Sequence, residues 1–171
     1  MPGTAPALCL RQPASAIDPG TLNEAAVILP GLAHWPAPLQ RPDQVVVHLL
    51  GIPLVLQKAL GRKDAGVARF EEFVSEQQVT LNAAQLAALE ALLKDERALS
   101  PRPGPQMKCA FHADIGVQWV RDGMSAYAIF CFTCGETIGT AGIGSFDIKR
   151  VGAFAARLFP SHDSFRKFAA K

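Results

Sequence analysis

Cys109, His112, Cys131 and Cys134 are spaced as CxxH, eighteen intervening residues, then CxxC. Cysteine sulfur and histidine nitrogen are donors that tetrahedral zinc accepts, and two short-spaced pairs are what ribbon-type sites use to bring two strand ends around one ion. The same residues admit two other chemistries. Cys131 and Cys134 have the spacing of a thiol–disulfide couple, in which a thiolate attacks a disulfide sulfur. The plainer account makes them small buried thiols beside a core histidine, because free cysteine is among the most buried residue types. A redox couple of the thioredoxin kind needs its first cysteine at a helix N-terminus, whereas Cys131 ends an apolar strand pattern. The fourth cysteine, Cys9, is left over in a four-ligand scheme, as a free thiol or the bridging partner of one of the other three.

The element that must position these residues is a hairpin. In DIGVQWV and MSAYAIFCF, Ile115, Val117 and Trp119 and then Tyr127, Ile129 and Cys131 recur with the two-residue period of strands. Arg121, Asp122 and Gly123 form the turn, Asp-Gly supplying left-handed conformations. Centring it on Asp122 places Val117 opposite Tyr127, Ile115 opposite Ile129, His112 opposite Phe132 and Cys109 opposite Gly135. All four candidate ligands then gather at the open end. In flat strands Cys109 and Cys131 point to one face and His112 and Cys134 to the other, so convergence requires the strand ends to curl. Asp114 and Glu136 flank the cluster, where they could support a metal or move a proton, but no acid–base pair at a defined spacing accompanies them. Whether the protein is an enzyme stays open, and the reading leans against it.

The rest of the chain frames that hairpin. With 171 residues, 49% of them hydrophobic and 19% charged, the length suits one core. The net charge of +2 comes from interspersed signs, as in GRKDAGVARFEEF, without the stripe that nucleic acid or a membrane surface would call for. The longest apolar run, Val45 to Leu56, falls short of the ~20 residues of a spanning helix and is interrupted by His48, Gly51 and Pro53. No basic start followed by an apolar stretch marks an export signal, so the expectation is a cytoplasmic protein or an exported one whose signal has been removed.

Residues 1–43 read as a Pro/Ala-rich irregular arm around one short helix at TLNEAAVIL, with His34 and Trp35 available for recognition or for packing. Residues 44–171 read as a single α+β domain with a linker-like break at 100–106. QVVVHLL suits a buried strand. Leu54 to Val79 mixes signals, although Val67, Phe70 and Phe73 or Val74 would share a helical face. The clearest helix spans 82–98: Asn82 and Gln85 have capping-box spacing, Leu81 can staple onto Leu86, and Leu86, Leu89 and Leu93 form a stripe. A second runs over 147–158, with Ile148, Val151, Phe154 or Ala155 and Leu158 on its apolar face and Pro160 as its stop. Phe165 and Phe168 can join the same core. GTAGIGS, Gly139 to Ser145, has the spacing of a phosphate loop but no lysine after Gly144, so it reads as a flexible connection to that helix. Ser161, His162 and Asp163 are adjacent, which suits a helix cap rather than a triad.

Cys109, Phe111, His112, Cys131, Phe132 and Cys134 together resemble a loose group of small uncharacterised bacterial proteins, many of them exported, with a CxF, a hairpin and a CFxC. The likeness spans Lys108 to Phe159, and such relatives often carry proline where this chain has His112. It implies no activity. The expected fold class is α+β, a small antiparallel sheet with a central hairpin at about 114–132 packed by two or three helices. The expected function is a non-enzymatic binding or protein-interaction protein with the Cys/His cluster at the hairpin's open end, a structural zinc being the cofactor that the ligand set would take. Two alternatives are a thiol–disulfide oxidoreductase using Cys131 and Cys134, and an exported inhibitor or immunity-type protein that binds a partner protein.

Overall fold

A computed structural model describes residues 42–62, 68–95, 97–101, 112–140 and 142–169. Among these residues lies one eight-stranded sheet, in the order β2-β3-β1-β5-β6-β7-β8-β4, in which every pairing is antiparallel. The strands are β1 (Gln44–Pro53), β2 (Arg69–Phe70), β3 (Phe73–Thr80), β4 (Leu99–Pro101), β5 (Ile115–Arg121), β6 (Met124–Cys131), β7 (Glu136–Gly139) and β8 (Gly142–Phe146). The helices are α1 (Leu54–Ala59), α2 (Ala83–Lys94), α3 (Ile148–Leu158) and α4 (Asp163–Arg166). None of them is long and apolar enough to cross a membrane. The architecture is the α+β arrangement expected, with a larger sheet.

Local chemistry explains the two long helices. Asn82 Oδ1 accepts the Gln85 N–H at 2.9 Å and Gln85 Oε1 accepts the Asn82 N–H at 3.0 Å, so two otherwise unsatisfied amides are closed reciprocally at the start of α2. Asp147 does the same for α3, its Oδ1 accepting the N–H groups of Lys149 and Arg150. Leu89 of α2 and Val151, Phe154, Ala155 and Leu158 of α3 are buried in one cluster with Val45, Val47 and Leu49 of β1, Ile115, Val117 and Trp119 of β5, and Ala126 and Phe130 of β6. An Arg150–Asp95 ion pair ties α3 to the end of α2.

Two expectations change, and a stretch left open between helix and strand is resolved. The register of the central hairpin is shifted by one residue, with Val117 opposite Ala128, Ile115 opposite Phe130 and Arg121 opposite Met124. The cause is a two-residue turn in place of a three-residue one: Asp122 and Gly123 both have positive φ, 50° and 74°, which matches the twist of the flanking strands. Ala126 and Phe130 therefore face the helices, and Tyr127 and Ile129 face away. The segment Phe70 to Val79, where a helical face was discernible, forms β2 and β3; pairing with β1 overrides a weak local preference. GTAGIGS contributes β8, which pairs with β7 and with β4, so the glycine-rich stretch is sheet rather than a free connection. Leu99–Pro101 forms β4 at the sheet's edge, and the rest of the linker-like break at 100–106 lies outside the described residues. The expected arm helix at TLNEAAVIL, together with His34 and Trp35, lies outside the described residues.

The second face of the sheet is covered differently. Leu50, Phe70, Ala113 and Ile129 are buried there, with Phe73, Tyr127 and Ile138 packed on them. The Phe70 ring lies over Gly116, close enough that any Cβ at that position would collide with it. It also stacks against His48, with ring centroids 4.5 Å apart, and meets Tyr127 edge-on at 6.2 Å.

Candidate functional site

β6 ends at Cys131, and the chain turns through Phe132, Thr133, Cys134 and Gly135 into β7. Gly135 has φ of 68° and donates its N–H to the Cys131 carbonyl at 2.9 Å, which closes the turn. A residue with a side chain would be strained there. The closure folds Cys134 back over Cys131: the Cys134 N–H lies 3.4 Å from Cys131 Sγ and donates to it. The His112 N–H donates to the same sulfur from the other strand end, at 3.3 Å. One sulfur thus joins the entry to β5 and the exit from β6. The chain curls at the 131–135 end.

Asp114 is the second clasp. Its Oδ2 accepts the Phe132 N–H at 2.7 Å, and its Oδ1 lies 3.3 Å from His112 Nδ1. The Asp114 carboxylate raises His112 above the ordinary histidine range by hydrogen bonding and charge, against partial burial. The His112 side chain is 66% exposed, so the clasp faces water.

The aromatic residue inside the CxxC turn anchors it to the core. Phe132 packs against Phe146, Phe165 and Phe168, with ring centroids 5.2, 5.2 and 5.9 Å apart. Zinc knuckles commonly carry small or basic residues at such positions, whereas here the residue is a core aromatic. The signal was available in Phe165 and Phe168 at the chain's end, two apolar residues with a partner still to be found.

Of the four candidate ligands, Cys131 and Cys134 share the turn and His112 is tied to it through its backbone; Cys109 lies outside the described residues, as does Cys9. Cys131 is a free thiol with 0% exposure. Cys134 is half-buried. Among the described residues no three His, Cys, Asp or Glu side chains are grouped to hold a metal ion. Glu136, opposite Cys131 in the β6–β7 register, is buried and engaged.

Two other histidines belong to structure. His48 Nδ1 and Ser75 Oγ are 2.9 Å apart in a buried pair, and Ser75 Oγ also donates to the Gln77 carbonyl at 3.4 Å. Burial lowers His48 below the ordinary histidine range, while Gln118 acts in the opposite direction. His162 occupies the N-cap position of α4, but its side chain makes no capping bond; its ring lies against Phe165 instead.

No family model, curated protein or solved structure matches the chain.

Proposed function

We propose that the protein is a non-enzymatic binding protein, acting on a protein partner, whose central hairpin is pinned at its open end by Cys109, His112, Cys131 and Cys134. Zinc would close that end when the thiols are reduced. The observation that carries this reading is the convergence of the His112 and Cys134 N–H groups on Cys131 Sγ. Amide donors aimed at a sulfur accommodate negative charge, and thiolate is the form that ligates a metal. His112 adds a second feature: with Nδ1 turned to Asp114, its Nε2 is the nitrogen left for a metal, the carboxylate fixing the ring as second partners of ligating histidines do. Zinc would supply a tetrahedral cross-link between strand ends.

Metal analysis of untagged protein purified under reducing conditions tests the pin. The expected result is one zinc per chain, with four donors protected until a chelator removes the ion. Protein without stoichiometric zinc and with every thiol freely titratable would refute it.

The oxidoreductase reading draws on the closeness of Cys134 to the free thiol of Cys131. Against it stands the complete burial of Cys131, which denies a substrate disulfide the in-line approach that exchange requires. The inhibitor reading places recognition around His34 and Trp35, and isolation of a stable complex lost on Trp35→Ala would favour it over a pin-centred function.

A further inference from the structure

We infer that Phe70 is a latch over the His48–Ser75 pair and that protonation of His48 releases it, so that acid bares the second face of the sheet while the helical face stays closed. This goes beyond the binding reading and does not depend on the pin at the hairpin's open end.

A deeply buried ring is carried here by a lightly held strand. β2 has two residues, lies at the outer edge of the sheet and is paired with β3 alone among the described strands, at Val74 and Phe73. One further bond, from the Ser75 N–H to the Ala68 carbonyl at 2.8 Å, extends that pairing. The turn beyond works against closure. Glu71 has φ of 51°, a left-handed conformation that a side chain disfavours, and burial together with the charge of Glu72 raises its carboxyl above the ordinary range. Phe70 is nevertheless buried, with its ring over Gly116, against His48 and edge-on to Tyr127. Burial of that ring is what holds the hairpin tip down, and an element held in this way opens locally before the core does.

His48 supplies the release. Ser75 Oγ donates to the Gln77 carbonyl, so the neutral imidazole turns its Nδ1 proton toward Ser75 Oγ. Nε2 is then left buried and without a hydrogen-bond partner among the described residues. A second proton has to sit on that nitrogen. Burial disfavours the charge, and the Gln118 side chain supports it without outweighing burial. Once Phe70 lifts, His48 meets water and returns to the ordinary value of about 6.5. The open form therefore binds the proton more tightly than the closed one. Opening grows as pH falls through about 6.5, by up to about tenfold per pH unit, until the closed form is protonated as well.

The charged and titratable groups around the latch are Arg69 on β2, Glu71 and Glu72 in the turn, Glu76 on β3 and Tyr127 on β6. The Glu76 side chain lies over Gly51. Burial and the charges of Glu71 and Glu72 hold Tyr127 above the ordinary tyrosine range, so it stays neutral in acid. Protonation of Glu71 relieves repulsion within the turn and favours closure, a contribution opposite in sign to that of His48.

Hydrogen exchange by NMR on the full chain, from about pH 7.5 down to about pH 5, tests the latch. The deciding signal is the protection of the Ser75 amide, corrected for intrinsic exchange, with the amides of α3 as reference and the His48 ring followed in the same samples. Protection at Ser75 should fall by up to about tenfold per pH unit in step with His48, while α3 is unchanged. Phe70→Leu should increase opening at every pH, His48→Gln should remove the pH dependence, and Glu71→Gln should leave it in place. Constant Ser75 protection while His48 titrates overturns the inference. So does joint loss of protection at Ser75 and α3, or a pH dependence that survives His48→Gln or vanishes in Glu71→Gln. Unaltered Ser75 protection in Phe70→Leu overturns it as well, independently of whether the His48 variant folds.

Discussion

The two faces of the sheet are held by different means. One is covered by α2, α3 and α4 and is filled by a continuous cluster of aliphatic and aromatic side chains from Val45 to Phe165. The other carries a smaller apolar group under the Phe70 ring, with the His48–Ser75 pair, Cys131 and Glu136 buried among or beside it. Bulk burial tolerates exchange of one apolar group for another, whereas a face built on one ring and a few polar contacts depends on each of them. The candidate site joins the two: Phe132 anchors its turn in the helical core, and Cys131 continues the Tyr127 and Ile129 series on the opposite face.

The sharpest contrast comes from disturbing each face in turn. Phe154→Ala should open a cavity between α3 and the sheet and cost about 3–5 kcal/mol in urea unfolding. Gly116→Ala should displace the Phe70 ring and cost about 1–3 kcal/mol, by the overpacking that a methyl group causes in a filled space. Equal costs would show that the Phe70 face is as deeply built as the helical one, and the distinction would fall. Near-UV circular dichroism offers an independent check, since only the Gly116 variant should alter the Phe70–Tyr127 pair while sparing the α3 contacts.

That contrast also explains what could be read from residue order. The helical face was legible because its signals are local: a capping box at Asn82, an aspartate before Ile148, and apolar stripes at helical spacing. The hairpin was legible as a hairpin, but its register turned on whether Arg121 belongs to the turn or to the strand, and strand pairing settles that. The Phe70 face was not legible. Phe70 and Gly116 are distant in the chain, and the short run Arg69–Phe70 becomes a strand only because β3 lies beside β1. At the site, the hairpin alone sets His112 beside the end of β6, whereas the clasp by Asp114 and the aromatic anchor of Phe132 depend on tertiary partners.

Cys131→Ala sharpens the comparison within the site. It removes the shared acceptor of the His112 and Cys134 amides and should cost about 1–2 kcal/mol, less than loss of the Phe154 ring. Hydrogen exchange should quicken at residues 112 and 134 and stay unchanged along α3. Cys131→Ser, which keeps a smaller acceptor, should recover part of the protection. Uniformly faster exchange across the sheet would mean that the sulfur is a core atom and not a local clasp.

The smallest effect separates the two faces by pH. Burial lowers His48, so the unfolded chain binds a proton more readily than the folded one, and stability falls as pH drops through the ordinary histidine value of about 6.5 and below. Asp114 raises His112, so the folded chain holds the proton longer, and that contribution is present below about 6.5 and is lost as pH rises through the raised value. The second effect is the weaker, because the His112 ring is largely in water. Proton NMR of the two rings should therefore show His112 titrating above, and His48 below, an exposed histidine of the unfolded chain. Asp114→Asn should bring His112 down to the ordinary value or below it and remove the alkaline loss while leaving the acid limb set by His48 in place. A shift of both rings in that variant would show that the two faces are electrostatically one, which the separation of the His48–Ser75 pair from the His112–Asp114 clasp argues against.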